Sequence, residues 1–263
     1  MNSASHAVSD TFTMLRRNFK NQLRYPTSVI AIVGIPVLFL LLFVYVFGGA
    51  LGTAVTGAPA GRPEYVNYIL PGLIIMTAAT GSLGAATSTS VDMTEGIIAR
   101  FKTMAIFRPS ILIARVISYV TQTLASMALV LGVALLMGFS PDASFVDWIA
   151  AVGLLALASF ALTWLGIAFG LAAKTLDTAS NLPFPLILLP FVGSGVVPTE
   201  SMPAGLRQFA ENQPFTPIIE TLRGLLLGTH IGHSGILAIS WCVGIAVVGF
   251  CWALKAFARD RTR

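Results

Sequence analysis

Apolar runs of about 20 residues recur along this chain, and the middle of each run is free of Asp, Glu, Lys, Arg and His. A helix of that length crosses the ~30 Å hydrocarbon core of a bilayer. Few folds tolerate such runs. A transmembrane β-barrel would show short alternating segments instead. The chain is 56% hydrophobic and 10% charged, against roughly 25% charged for a soluble domain. The expected class is an all-α polytopic membrane protein, with no room among its 263 residues for a large soluble domain.

The runs predict six transmembrane helices, at about 27–47, 68–91, 110–138, 148–173, 182–197 and 235–257, in one membrane domain covering 1–263. The fifth is short and carries Pro183, Pro185 and Pro190. The second is rich in Gly, Ala, Ser and Thr, and the fourth has Gly166 and Gly170 at GxxxG spacing; small residues let helices approach closely. The first run exceeds the 7–15 residues of a signal-peptide core, so the N-terminus is expected to remain.

Charge gives the orientation. The net charge is +5, and the basic residues flank the runs, which points to the inner membrane surface rather than to nucleic acid. Of sixteen Lys and Arg, all but Arg62, Arg207 and Arg223 fall on one side of a six-span layout. That side is then cytoplasmic and holds both termini.

Three segments outside the spans have patterns of their own. In 8–24, Val8, Phe12, Leu15, Phe19 and Leu23 recur at helical spacing, with Arg16, Arg17, Lys20 and Arg24 on other faces. This is the pattern of an amphipathic helix lying on an anionic leaflet. In 92–108, Asp92 with Glu95 three residues on reads as a capping box. Ile97, Ile98, Phe101, Met104 and Ala105 share a face of the helix that would follow, and Arg108-Pro109 would end it. The stretch 196–228 is too polar for a span and too apolar for a solvated loop. Pro198, Pro203, Pro214 and Pro217 break it into two short helical pieces, and Glu220 and Arg223 form an i,i+3 pair. A segment that dips into the outer face of a membrane and turns back has this composition.

Several chemistries are excluded. Proton relays, voltage sensors and charged filters need ionisable groups inside the spans. No G-x-x-x-x-G-K-[ST] is present, so no phosphate-cradling loop serves ATP in this chain. His230 and His233 have no obvious third ligand, so no metal is expected. Cys242 and Cys251 lie about 13 Å apart along one helix, beyond disulfide reach.

Two blocks carry a family resemblance: DMTEGIIARFKTMAIFRPSILIARVISY (92–119) and VVPTESMPAGLRQFAENQPFTPIIETLRGLLLG (196–228). Across essentially its whole length the chain resembles the membrane subunits of type-2 ABC exporters, above all the daunorubicin/doxorubicin-resistance permeases of actinobacteria. The resemblance implies six spans, an N-terminal interfacial helix, a cytoplasmic coupling helix and outward re-entrant half-helices before the last span. It implies two permease copies or paralogues paired with two ATP-binding subunits, which would hold ATP and Mg; this chain would hold neither. It implies coupling through Glu95, Gly96, Arg100, Phe101 and Met104. The outward lid would comprise Leu206–Phe209 and Thr216–Leu227, with Pro198, Met202, Pro203, Phe209, Pro214, Pro217, Glu220 and Arg223; Pro214 to Pro217 would be its hinge. The implied role is ATP-driven export of a hydrophobic or amphiphilic drug, antibiotic or lipid-like compound across the cell membrane. Lipid or polysaccharide export is the alternative on the same fold. A membrane-embedded lipid-modifying enzyme is an alternative of another class, and it would need a polar or metal cluster near the interface.

Overall fold

The computed structural model describes residues 26–48, 62–96 and 108–259. The interfacial segment with Arg16, Arg17, Lys20 and Arg24, and the connector residues Arg100, Phe101 and Met104, lie outside the described residues. All regular structure among the described residues is helical. Helix α1 (Pro26–Leu42) runs on into a five-residue π-helical turn, Phe43–Phe47. It is followed by α2 (Arg62–Thr94), α3 (Arg108–Leu136), α4 (Phe145–Ala172), α5 (Leu176–Asn181) and α6 (Phe184–Val192). A 3-10 turn (Thr199–Ser201), α7 (Ala204–Asn212), α8 (Phe215–Leu227) and α9 (Ser234–Arg259) complete the order.

Among the described residues, four helices are long and apolar enough to cross a membrane: α2, α3, α4 and α9. The sequence predicts six spans. The other two apolar stretches, Ile32–Phe47 and Leu176–Val192, are shorter, and the second is broken into α5 and α6 around Leu182 and Pro183. The proline removes a backbone donor that a continuous helix would use.

Helix α2 is the centre. In its most apolar stretch 89% of residues are buried, against 28% in α9 and 33% in α3. It packs against α1, α3, α4, α5, α6 and α8. Its small residues make this possible. Gly166 and Gly170 of α4 sit on the α2 backbone, where a Cβ would run into the carbonyl oxygens of Ser82 and Ala86. Several α2 hydroxyls are satisfied within the helix: Thr77, Thr80 and Thr89 donate to the carbonyls of Leu73, Met76 and Ala85 at 2.9, 2.9 and 2.7 Å. They therefore cost little in an apolar interior.

The ends of the bundle are distinct. At one end, Asn67 near the start of α2 bonds Ser140 in the α3–α4 turn, accepting from its N–H at 3.2 Å. The Asp142 N–H of the same turn donates to the Leu226 carbonyl of α8 at 3.1 Å. A capping box of Ser144 and Asp147 starts α4 there. The opposite end carries the α2–α3 junction.

Introducing Leu at Gly166 or Gly170 is expected to destabilise the protein by about 1–3 kcal/mol through overpacking on α2. Gly153→Leu, on the same helix but facing open space, is expected to leave thermal unfolding in detergent unchanged.

Candidate functional site

Three places stand out, two of which gather residues that the sequence singles out, and all three touch α2 or its neighbours. The first is the α2–α3 junction. Asp92 does not start a new helix. It lies inside α2, which continues to Thr94. This corrects the expected capping box and the start of a separate helix at Asp92. The physical reason is a partner: the Asp92 carboxylate is ion-paired with Arg115 Nη2 of α3, so it is not available to cap. Arg115 Nη1 also donates to Thr89 Oγ1 at 2.9 Å. The Arg115 side chain is 8% exposed and that of Asp92 23%. An acid near a helix C-terminus faces the negative end of the macrodipole, and the guanidinium offsets this. Glu95 and Gly96 form the turn after α2, and Gly96 adopts φ 70°, a left-handed conformation that suits glycine. Glu95 is exposed.

The second place is the seam between α1 and α6. Phe39 and Phe43 contact Phe191 with ring centroids 5.2 and 6.1 Å apart, and contact each other at 6.0 Å. Phe43 opens the π-helical turn, a geometry that is rare and frequently found at functional sites. No residue pattern marks this turn in advance.

The third place is the segment before α9, and it divides into a fixed part and an outer part. Helix α8 is thirteen residues long, about 20 Å, and eleven of them are buried. It packs against α2, α4 and α9. Arg223 holds it there. Its Nη2 donates to the carbonyl of Ser194 at 2.6 Å and to that of Tyr68 at 3.2 Å. Its Nη1 is 2.6 Å from Glu220 Oε1, and the guanidinium lies 3.9 Å over the Tyr68 ring. One side chain thus joins α8, the start of α2 and the turn after α6. The local Glu220–Arg223 pair expected from the sequence forms, while Tyr68 and Ser194 were not legible, because the contacts to them are to backbone carbonyls far along the chain.

Gln213 between α7 and α8 adds a second tie, donating to the Leu189 carbonyl of α6 at 3.0 Å. At Gly72 and Gly195 the α2 backbone meets the turn after α6 so closely that a Cβ on Gly72 would contact the Gly195 carbonyl at 2.6 Å. Pro217 lies in the first turn of α8 and is buried, where its missing N–H costs no hydrogen bond. The expected hinge residues Pro214 to Pro217 lie at the start of this packed helix.

The outer part comprises Pro198, Met202, Pro203 and α7. Helix α7 packs chiefly on α8 and the 3-10 turn. Leu206 and Phe209 are 45% and 52% exposed, and of its residues only Ala210 is buried. Arg207 and Glu211 pair on its surface at 2.7 Å; the hydrogen bond and charge of Glu211 hold the Arg207 pKa above its ordinary value. Among the described residues no group of three His, Cys, Asp or Glu is placed to hold a metal.

A bundle of apolar helices around a small-residue core, with a turn-back segment pinned before its last helix, defines a multi-pass membrane protein of the transporter-subunit type. Comparison with known proteins gives the family. The ABC-2 type transporter family matches residues 9–227, and the chain belongs to it. It is 27% identical over 254 residues to the daunorubicin resistance ABC transporter permease protein DrrB1 of Streptomyces coeruleorubidus, covering 96% of this chain and 84% of that one. It is 24% identical over 247 residues to a Mycobacterium tuberculosis protein named "Probable doxorubicin resistance ABC transporter permease protein DrrC", covering 94% and 87%. The chain is therefore a transmembrane permease subunit of an ABC transporter, a class that works with an ATP-binding subunit.

Two substitutions separate the clasps. Arg223→Ala is expected to lower stability by about 2–4 kcal/mol, because the charge-assisted bonds to buried carbonyls are lost; thermal unfolding in detergent reads this. Asp92→Ala is expected to cost about 3 kcal/mol by removing the carboxylate from a buried guanidinium, and Asp92→Leu combined with Arg115→Met to cost less than Asp92→Ala alone.

Proposed function

We propose that this chain forms the membrane path of an ATP-driven exporter that moves a hydrophobic or amphiphilic compound outward across the cytoplasmic membrane. The cargo class is drug-, antibiotic- or lipid-like. The observation that carries this reading is the phenylalanine seam of α1 and α6, an apolar lining between spans whose middles have no charge. The printed names of the relatives, both drug-resistance permeases matched over nearly the whole chain, agree with it. In this reading α1 with its π-turn and the stretch 182–197 that contains α6 cross the bilayer as the first and fifth of six spans. Both termini are cytoplasmic, and the segment 196–228 lies on the outer side.

The working unit is two permease copies, or this chain and a paralogue, with two ATP-binding subunits. ATP and Mg belong to those subunits. Their closure acts on the connector through Glu95, Gly96, Arg100, Phe101 and Met104, and on the basic N-terminal helix through Arg16, Arg17, Lys20 and Arg24. The Asp92–Arg115 pair transmits the displacement to α2 and α3 together, because it ties them beside the connector. Cargo enters from the inner leaflet, passes the phenylalanine seam and leaves beside α7. Pro198, Met202, Pro203 and Phe209 belong to the part of the lid that yields, while Pro214, Pro217, Glu220 and Arg223 belong to the part that stays.

Co-reconstitution with the ATP-binding subunit in proteoliposomes tests this. Lipophilic compounds are expected to stimulate ATP hydrolysis and to accumulate on the side away from the nucleotide. Replacing both Glu95 and Arg100 by Ala is expected to leave ATP turnover running while export falls at least about tenfold, equivalent to some 1.4 kcal/mol of lost coupling. Unchanged export by that variant would remove the coupling role from these residues.

A further inference from the structure

Between α3 and α4, at the end of the bundle that carries the α3–α4 turn, lies a cavity of about 150 Å³. Helices α2, α3, α4 and α8 line it, and neither α1 nor α6 contributes. Its walls include Ile74, Met127, Leu131, Ala151 and Leu226, with Trp148 near the start of α4. No lining residue carries a charge, a hydroxyl or an amide side chain. Ala128 and Val152 face outward at its mouth and are exposed. Around the mouth, Leu129, Ile149 and Val152 are 53%, 59% and 54% exposed. The opening is therefore on an apolar face of two helices long enough to cross the membrane.

We infer that this cavity is a binding site for one acyl chain of a membrane lipid, in the leaflet on the side of the α3–α4 turn. Three observations select that occupant. Water is disfavoured, because a buried water needs two to four polar partners and the walls offer at most the indole N–H of Trp148. A whole drug-sized molecule is excluded by size, since such ligands occupy pockets of roughly 300–1,000 Å³. A hydrocarbon segment fits, since dry apolar cavities of about 150 Å³ take up small apolar molecules, and the remainder of a chain can lie along the exposed apolar surface of α3 and α4. Trp148, one turn inside α4, sits where an indole favours the membrane–water boundary. This puts the headgroup above Trp148 and sends the chain down toward Ala151 and Leu155. Because no charged, hydroxyl or amide side chain lines the cavity, recognition is of the chain and not of the headgroup. The cavity also borders Leu226, whose carbonyl is bonded to the α3–α4 turn, so the lipid supports the seat of α8.

Photolabelling tests this. The full-length protein is placed in phosphatidylcholine nanodiscs containing a phosphatidylcholine with a diazirine midway along one chain, irradiated and mapped by peptide sequencing. Label is expected on Met127 and Ala151, each only 2% exposed, as well as on exposed Ile149 and Val152. Ala128→Phe, at the exposed mouth, is expected to cut label on Met127 and Ala151 several-fold while leaving Ile149 labelled; Ala128→Leu serves if the larger plug impairs folding. A diazirine-bearing phosphatidylglycerol is expected to label equally. Label confined to the exposed residues, label on Met127 unaffected by both plugs, or label that depends on the headgroup would each overturn the proposal. So would loss of label on adding a transported lipophilic compound, which would make the cavity a cargo site. The readout needs no ATP, so failure of the export reading leaves it intact.

Discussion

The approach of α4 to the backbone of α2 is the constraint on which the rest of the bundle depends. Glycine at 166 and 170 lets α4 rest on the carbonyls of Ser82 and Ala86. In a membrane the helices gain little from hydrophobicity alone, since lipid tails are as apolar as leucine. Close van der Waals contact of small residues is what holds them. With α4 this near, α2 becomes the axis against which α1, α3, α6 and α8 pack. The long helices α3 and α9 keep most of their apolar surface outward, as expected of helices that face lipid.

Helix α2 also joins two polar clasps. Tyr68, whose carbonyl receives Arg223, and Asp92, which pairs with Arg115, are 24 residues apart on one helix, about 36 Å at 1.5 Å per residue. Between them the helix is continuous and mostly buried, and Thr77, Thr80, Ser82, Thr87 and Thr89 bond its own carbonyls. A displacement imposed at Asp92 therefore arrives at Tyr68 as a tilt or shift of a rod. On the proposed reading this is how force from a nucleotide-binding partner reaches the far side. The alternative, a signal carried by flexing of the spans, would act at Gly81 and Gly84 in the middle of α2, but there the helix is continuous and packs against Thr123 and Tyr119 of α3.

The helical membrane class was legible because uncharged runs of that length admit little else. Close packing at Gly166 and Gly170 was legible as a spacing, and the partner backbone was not. What the sequence hid has a common cause. Arg223 bonds carbonyls 155 and 29 residues away, and a carbonyl has no residue-specific signature. Asp92 looked like a helix cap because Glu95 follows it, and a local rule was applied where a tertiary partner prevailed. Nothing local in the sequence marks the partner of Arg115, although its burial requires an acid and Asp92 is the nearest acid on the preceding helix. The start of the fifth apolar stretch at 182 was legible from Pro183 and Pro185, which break the helix there, while the short helix α5 before it, capped by Thr175, was not.

These contacts bear on how an outward element could open. A lid that swung as one body would have to break the guanidinium bonds to two carbonyls, the stacking on Tyr68 and the Gln213 tie to α6, all in buried or half-buried sites. Removing a partner from a buried charged donor is among the most costly changes a protein can undergo. Among the described residues, helix α7 shows no such ties beyond α8 and its own turn, and its Leu206 and Phe209 are exposed. Opening at the lowest cost therefore moves α7 and the proline-bounded turn before it, while α8 stays with α2. If α8 moves at all, it moves as cargo of α2, with the Arg223 clasp intact. The clasp is thus better described as the joint that makes the outward segment follow the rod than as a lock that must be released.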